Sequence, residues 1–272
     1  MSVDVEEHFQ VAAFENQISK SDWTSIPSRV SRNVERILEL FDEAGVKGTF
    51  FTLACVAEKL PGLAKTIAQE GHEIASHGCE HDRVSTFTAD EFFADISKSK
   101  NLLEDLTGQQ VVGYRAPSFS IDDKTPWAHD MLLKAGYEYS SSVFPIKHDH
   151  YGLPDAPRFP FRHNGNGLLE IPLSTLHGFG RNWPCSGGGY FRLLPLRFSK
   201  WAVSRINSED RMPAVFYFHP WEIDKDQPVV DGISAKSRFR HYVNLEKFEG
   251  RLSDMLRSFS WGRMDRVFLR EA

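Results

Sequence analysis

Cysteine is scarce in this chain of 272 residues: only three occur, Cys55, Cys79 and Cys185, with no CxxC pair. So sparse and odd a set excludes a disulfide framework and a thiolate-built structural zinc site, and it points to a reducing compartment. No apolar run approaches the roughly 18 residues that span a bilayer. The acidic start, Met1 to Phe9, also lacks the basic region and apolar stretch of a secretory leader. We therefore expect no membrane span and a cytoplasmic location. A strong charge of one sign is missing too. The formal net charge is −5, with Lys and Arg spread along the chain, which leaves no footprint for nucleic acid or an anionic membrane. The one basic cluster, Lys236, Arg238, Arg240 and His241, reads as a solvated face. No low-complexity tether divides the chain.

What is present is a globular composition, 41% hydrophobic and 25% charged. Apolar periodicity switches repeatedly between strand and helix, which implies strand–helix units and a largely parallel sheet. Val34, Ile37, Leu38 and Phe41 fall at helical spacing and stop at Gly45; Gly48 to Leu53 then reads as a buried strand. A helix starts near Pro61, and a short strand follows over His72 to Ser76. Thr88 with Glu91 makes a capping box that opens a helix closed by Gly108. Further strands are predicted near Tyr114, at Tyr137 to Tyr139, Leu169 to Ile171 and Ala214 to Phe218, with helices over Pro126 to Ala135 and Leu245 to Phe259. About seven such units favour a closed or nearly closed (β/α) barrel over an open sheet. We read residues 1–272 as one domain, with 144–192 as a loop-rich functional insertion.

Barrels keep their chemistry at the carboxyl ends of their strands. Four polar segments fall there: Asp4-Val5-Glu6-Glu7-His8, His77-Gly78-Cys79-Glu80-His81, Arg115-Ala116-Pro117 and His219. A spacing of four brings the His77 and His81 imidazoles to one side of a helical turn, so both reach one ion. Two imidazoles plus one carboxylate leave zinc an open position for water, as a catalytic site requires. Asp4 and Glu6 flank Val5, and this separation lets one carboxylate bind the ion while the other takes the water's proton. No GxSxG elbow is present, and Cys79 points away from the side the two histidines share, so no Ser or Cys nucleophile is expected. His148 and His150 make a second close pair, but with no thiolate nearby they read as incidental loop histidines.

Taken in order, Ser2-Val3-Asp4-Val5-Glu6, Ser76-His77-Gly78-Cys79-Glu80-His81, Tyr114-Arg115-Ala116-Pro117 and Phe218-His219-Pro220-Trp221 resemble the motifs of polysaccharide deacetylases of the NodB-homology type. The resemblance covers about residues 1–145 strongly and the His219 strand well. Ser186-Gly187-Gly188-Gly189-Tyr190-Phe191-Arg192 and His219-Pro220-Trp221-Glu222-Ile223-Asp224 look like the branch associated with exopolysaccharide and exosortase gene clusters. The resemblance implies a deformed (β/α) barrel and removal of N-acetyl groups from an N-acetylated polysaccharide. It also implies a divalent metal, zinc first, with Co2+ or Ni2+ as alternatives, held by one carboxylate and the two histidines. Asp4 matches the family's catalytic base, Arg115 the arginine that orients it, and His219 the general acid for the leaving amine. Many members carry two adjacent aspartates where this chain has Val5 after Asp4. The metal carboxylate therefore falls to Glu6, with Glu7 as the fallback.

A further departure is Ser140, which stands where the family has an aspartate that raises the basicity of the acid histidine. We expect Glu222 or Asp224, close in sequence to His219, to supply that charge. The implied reaction is hydrolysis of an acetamide, with the metal and a backbone N–H near Arg115 holding the oxyanion. Sugar rings are bound through aromatic faces and hydrogen bonds. Tyr114, Pro117, Tyr190 and Trp221 are the first candidates, followed by Tyr151, Phe159, Phe161, Trp183 and Phe191. Two other readings stand beside this one. An enclosed pocket would favour an amide hydrolase acting on a small non-carbohydrate amide. The loss of the aspartate at Ser140 would suit a catalytically impaired sugar-binding homologue.

Overall fold

The computed structural model describes residues 1–148, 152–163 and 167–269. His150 and Tyr151 therefore lie outside the described residues. In chain order the strands are β1 (Ser2–Val5), β2 (Thr49–Thr52), β3 (Glu73–Ser76), β4 (Gly113–Tyr114), β5 (Tyr139–Ser140), β6 (Phe161–Arg162), β7 (Leu169–Glu170), β8 (Thr175–Gly178), β9 (Arg181–Pro184) and β10 (Tyr217–Phe218). Eight of them form one curled sheet in the order β10-β1-β2-β3-β4-β5-β7-β6, while β8 and β9 make a separate hairpin. The ladders from β10 to β7 are all parallel, and only β6 runs antiparallel to its neighbour. This is the deformed (β/α) barrel anticipated, with the expected count met by its parallel strands.

Helices α1 (Val30–Glu43), α2 (Ala54–Lys59), α3 (Pro61–Gln69), α4 (Ala89–Thr107), α5 (Ala128–Lys134), α6 (Gly188–Leu193), α7 (Leu196–Arg205), α8 (Ala235–Tyr242), α9 (Phe248–Ser258) and α10 (Met264–Phe268) complete the chain. Strand alternation sends Phe50 and Ile74 outward to meet α1, α3 and α4 through Phe41, Ile67 and Ile96. The next residues, Phe51 and Ala75, face inward and join Tyr139, Phe144 and Tyr217 in the barrel interior. Every residue of β1, β2 and β3 is buried, because helices cover one face and the interior fills the other. The capping box forms as read: Glu91 N–H donates to Thr88 Oγ1 at 3.3 Å, and Thr88 N–H to Glu91 Oε2 at 2.8 Å.

Some elements escaped the sequence. Helix α2 is too short to show a helical period, and the hairpin β8–β9 and edge strand β6 lie in the stretch read as loop. That stretch also supplies β7 to the main sheet and most of α6. All three cysteines are free thiols, and no described helix is long and apolar enough to cross a membrane.

Candidate active site

The period-two alternation of an extended chain sends the side chains of Asp4 and Glu6 to one side and Glu7 to the other. Glu6 points its Oε2 at His81 Nε2, 2.8 Å away, and at His77 Nε2, 3.9 Å away. Glu7 instead accepts from Ser28 Oγ and from the backbone N–H of Arg29, which removes it as the alternative ligand. The two histidines do not share a helical turn, as the spacing had suggested. They meet across an irregular loop after β3 in which Gly78 has φ +81° and His81 φ +60°. The left-handed value at Gly78 is open to glycine at no steric cost, and histidine is among the side chains that tolerate one. Their rings lie 5.5 Å apart at 64°.

His77 Nδ1 is 2.8 Å from the Arg115 carbonyl, so that nitrogen carries the proton and donates it, leaving the Nε2 lone pair toward Glu6. Burial lowers the pKa of His77 to about 4, which keeps the imidazole neutral. Glu6 moves the opposite way to its own burial: desolvation would raise its carboxyl, but His81 and His219 hold it down at about 2. The donor atoms of Glu6, His77 and His81 all lie within 4.8 Å of one another, against roughly 3.3 Å between neighbouring ligands of a tetrahedral zinc. Glu6 Oε2 is also buried without a hydrogen-bond partner. A buried anionic oxygen facing the His77 Nε2 lone pair, with His81 Nε2 2.8 Å away, is a donor set that a divalent cation would satisfy, so these residues fit the implied metal.

Asp4 sits 3% exposed beside this cluster. Arg115 Nη1 donates to its Oδ1 at 2.6 Å and to Ser2 Oγ at 2.9 Å. The rest of the guanidinium is tied to Ser141, through its carbonyl at 3.1 Å and its hydroxyl at 3.0 Å. Fully buried, and lying 4.0 Å over the Phe51 ring, Arg115 therefore fixes one carboxylate oxygen of Asp4 and leaves the other toward the site.

His219 closes the site from β10. Its Nε2 is 4.0 Å from Asp4 Oδ2 and 3.8 Å from Glu6 Oε1. Its Nδ1 lies 2.9 Å from Glu222 Oε1. Burial would lower the pKa of His219, but Glu6, Glu222 and Asp4 outweigh it and raise the imidazole to about 9. Of the two carboxylates expected to assist His219, the geometry selects Glu222. Asp224 is instead bound by Arg29 at 2.5 and 2.9 Å and by Arg32 at 3.0 Å. Ser140 is turned away as well: its hydroxyl donates to Ser142 Oγ at 2.8 Å, near the buried Glu170. Sequence reasoning missed Arg192, which donates Nε to Glu222 Oε2 at 2.7 Å. Its only trace was the glycine-rich segment that ends on it.

Residues 22–140 match the family profile described as Polysaccharide deacetylase. The chain carries a polysaccharide deacetylase domain. Residues 141–269 match a second profile, described as Domain of unknown function (DUF3473). Over 110 residues the chain is 32% identical to a peptidoglycan deacetylase of Helicobacter pylori, covering 40% of this chain and 36% of that protein. Over 94 residues it is 35% identical to a peptidoglycan-N-acetylglucosamine deacetylase of Bacillus cereus, covering 34% of each. The matched segment thus spans about a third of these curated relatives. A Mycobacterium smegmatis structure, assigned provisionally to the polysaccharide deacetylases, superposes with a TM-score of 0.64 at 18% identity. It covers 98% of this chain and 87% of that one, a likeness of fold.

Around the candidate centre several anticipated contacts take other roles. Tyr114 is 1% exposed and packs edge-on against Phe92 and Tyr137, so it belongs to the core. Pro117 is buried beneath the Gly78 backbone. Trp221 offers no open face, because its ring is stacked between His219 at 5.0 Å and His241 at 4.1 Å, and its indole N–H donates to Glu6 Oε1 at 3.2 Å. His241 is thereby buried, unlike the exposed Lys236, Arg238 and Arg240 with which it was grouped. Phe191 is core, and Trp183 stands on the hairpin under the Arg181 guanidinium. Tyr190 remains half-buried against the interior cluster. The backbone N–H groups of Arg115 and Ala116 cannot hold an oxyanion, since they donate to Ser76 O and Ser142 Oγ, each at 2.9 Å. Cys79 is spent on Asp95, its thiol donating to the carbonyl at 3.3 Å, and burial raises its pKa.

Proposed function

We propose that this chain is a metal-dependent hydrolase that removes N-acetyl groups from an N-acetylated polysaccharide, with an exopolysaccharide as the substrate class suggested by its motifs. The observation that carries the reading is the convergence of Asp4 and His219, 4.0 Å apart, on the Glu6–His77–His81 cluster. A divalent cation on those three residues, zinc first and cobalt or nickel as substitutes, would acidify water and polarise the acetyl carbonyl. Asp4, steadied by Arg115, accepts the proton of the attacking water. As the new C–O bond forms and the C–N bond breaks, the electron pair leaves with nitrogen, and His219 Nε2 protonates it. Acetate and a free amine result. Tyr190 is the aromatic candidate for the sugar ring.

The test is acetate release from N-acetylglucosamine oligomers and from whole exopolysaccharide, with metal added back after chelation. The unmodified chain is compared with His77→Ala and Asp4→Asn. Activity retained in both variants overturns the assignment.

A further inference from the structure

His219, Glu222 and Arg192 all lie in residues 141–269, the segment matched by a profile of unknown function. We infer that this segment supplies the acid half of the catalytic machinery, with Arg192 and Gly188 as positioning residues that hold Glu222 against His219. The inference rests on the deacetylase reading above and assigns that second segment a role within it.

Glu222 is fully buried and uses both oxygens. Oε1 takes the backbone N–H of His219 at 3.1 Å and stands 2.9 Å from its Nδ1, while Oε2 takes Arg192 Nε at 2.7 Å. Arg192 is 1% exposed, and its other donors grip main-chain oxygens at the end of α8: His241 at 2.7 Å, Val243 at 3.0 Å and Arg240 at 3.1 Å. The guanidinium is thus locked to the backbone and presents one nitrogen to the carboxylate. An ion pair so thoroughly desolvated returns little net stability, and an apolar pair of equal volume would often serve the fold as well. What the pair achieves is directional. With Nδ1 donating to Glu222, the His219 proton that comes and goes is the one on Nε2, which faces Asp4 and Glu6.

Gly188 makes room for this arrangement. A Cβ there would fall 1.8 Å from Glu222 Oε1 and 2.1 Å from its Cδ, so any side chain at this position displaces the carboxylate. The glycine-rich turn that opens α6 therefore meets a requirement of Glu222, and the same short helix brings Arg192 to it.

Glu222→Gln, Arg192→Lys and Gly188→Ala are compared with the unmodified full chain, zinc supplied, on two substrates. One is an N-acetylglucosamine oligomer, whose amine must be protonated as it leaves; the other is 4-nitrophenyl acetate, whose phenolate needs no proton. Removing an acid's support costs on the order of 10²-fold where protonation is required. We expect kcat on the amide to fall about that far in Glu222→Gln, with KM little changed and the ester rate falling far less. Arg192→Lys and Gly188→Ala should follow in the same direction. Equal losses on both substrates, or no loss on either, overturn the inference. Nitrogen-15 NMR of the histidines reads the same geometry without turnover: the His219 Nδ1 proton should be present and strongly deshielded in the unmodified chain and shift upfield in Glu222→Gln, whose neutral amide oxygen is a weaker acceptor. Absence of that proton from the unmodified chain also overturns it. No acetate from either substrate with the Nδ1 proton in place would instead count against the deacetylase reading.

Discussion

Asp4, Glu6, His77 and His81 owe their places to strand ends, whereas His219 owes its setting to bonds between side chains far apart in the sequence. On the first side, β1 and β3 both pair with β2, and each carries a short polar run just past its ladder. Arg115 follows β4 in the same manner. On the second side, Arg192 reaches Glu222 across 30 positions and the His241 carbonyl across 49. The difference teaches where each kind of substitution should hurt. His77 and His81 are replaceable without loss of fold because backbone ladders set their positions, and Asp4→Asn still leaves an acceptor for the buried Arg115. The acid side depends on desolvated groups whose removal leaves a partner buried and unpaired.

The largest expected effect lies on the strand-end side. His77→Ala and Asp4→Asn should each lower acetate release about 10³-fold or more, and chelation should do the same, reversed by adding zinc. The contrast breaks if His77→Ala also fails to fold, as judged by circular dichroism. On the acid side, Arg192→Met should cost about 3–5 kcal/mol in denaturant titration, because it strands Glu222. The double change Arg192→Met with Glu222→Met should recover much of that stability while leaving amide hydrolysis impaired. A double variant as unstable as the single would show that the pair serves the fold instead. Ser140→Asp is expected to cost about 2–4 kcal/mol without raising activity, since it buries a second carboxylate beside Glu170.

The smallest effect concerns Asp224. Burial would raise its carboxyl, but hydrogen bonds from Arg29 and Arg32 lower it from 3.8 to about 2. A group depressed in this way contributes its stability above its unfolded value, and the contribution is lost as pH falls toward 2. Asp224→Asn should therefore be less stable than the unmodified chain by about 1–3 kcal/mol at pH 6, with the gap narrowing below pH 4. Turnover at pH 7 should stay within about twofold, as expected of a surface-side clamp away from His219. A loss comparable to that of Glu222→Gln would return Asp224 to the catalytic group.

How much could be read beforehand follows the same division. The barrel was legible because apolar period and turn residues are local signals, and Asp4, Glu6, His77 and His81 because each sits within a few positions of a buried strand. The spacing of His77 and His81 was sound evidence for a shared ion but not for a helix; only the positive φ values at Gly78 and His81 show how the loop brings them together. Trp221 looked like a sugar platform because an aromatic beside a catalytic histidine is chemically apt, yet its indole N–H is taken by Glu6. Glu222 and Asp224 were indistinguishable by sequence, two carboxylates within five residues of His219. Their separation needed Arg29 and Arg192, which no local pattern links to them.

The parallel register sets Ser2 opposite Tyr217 and Val3 opposite Phe218, so Asp4 and His219 stand at the end of one short seam. Beyond β10 the curled sheet has no further neighbour among the described residues. The spacing between the two groups is therefore set jointly by this short ladder and by the Trp221 indole, which hangs from the β10 side and donates across the gap to Glu6 Oε1.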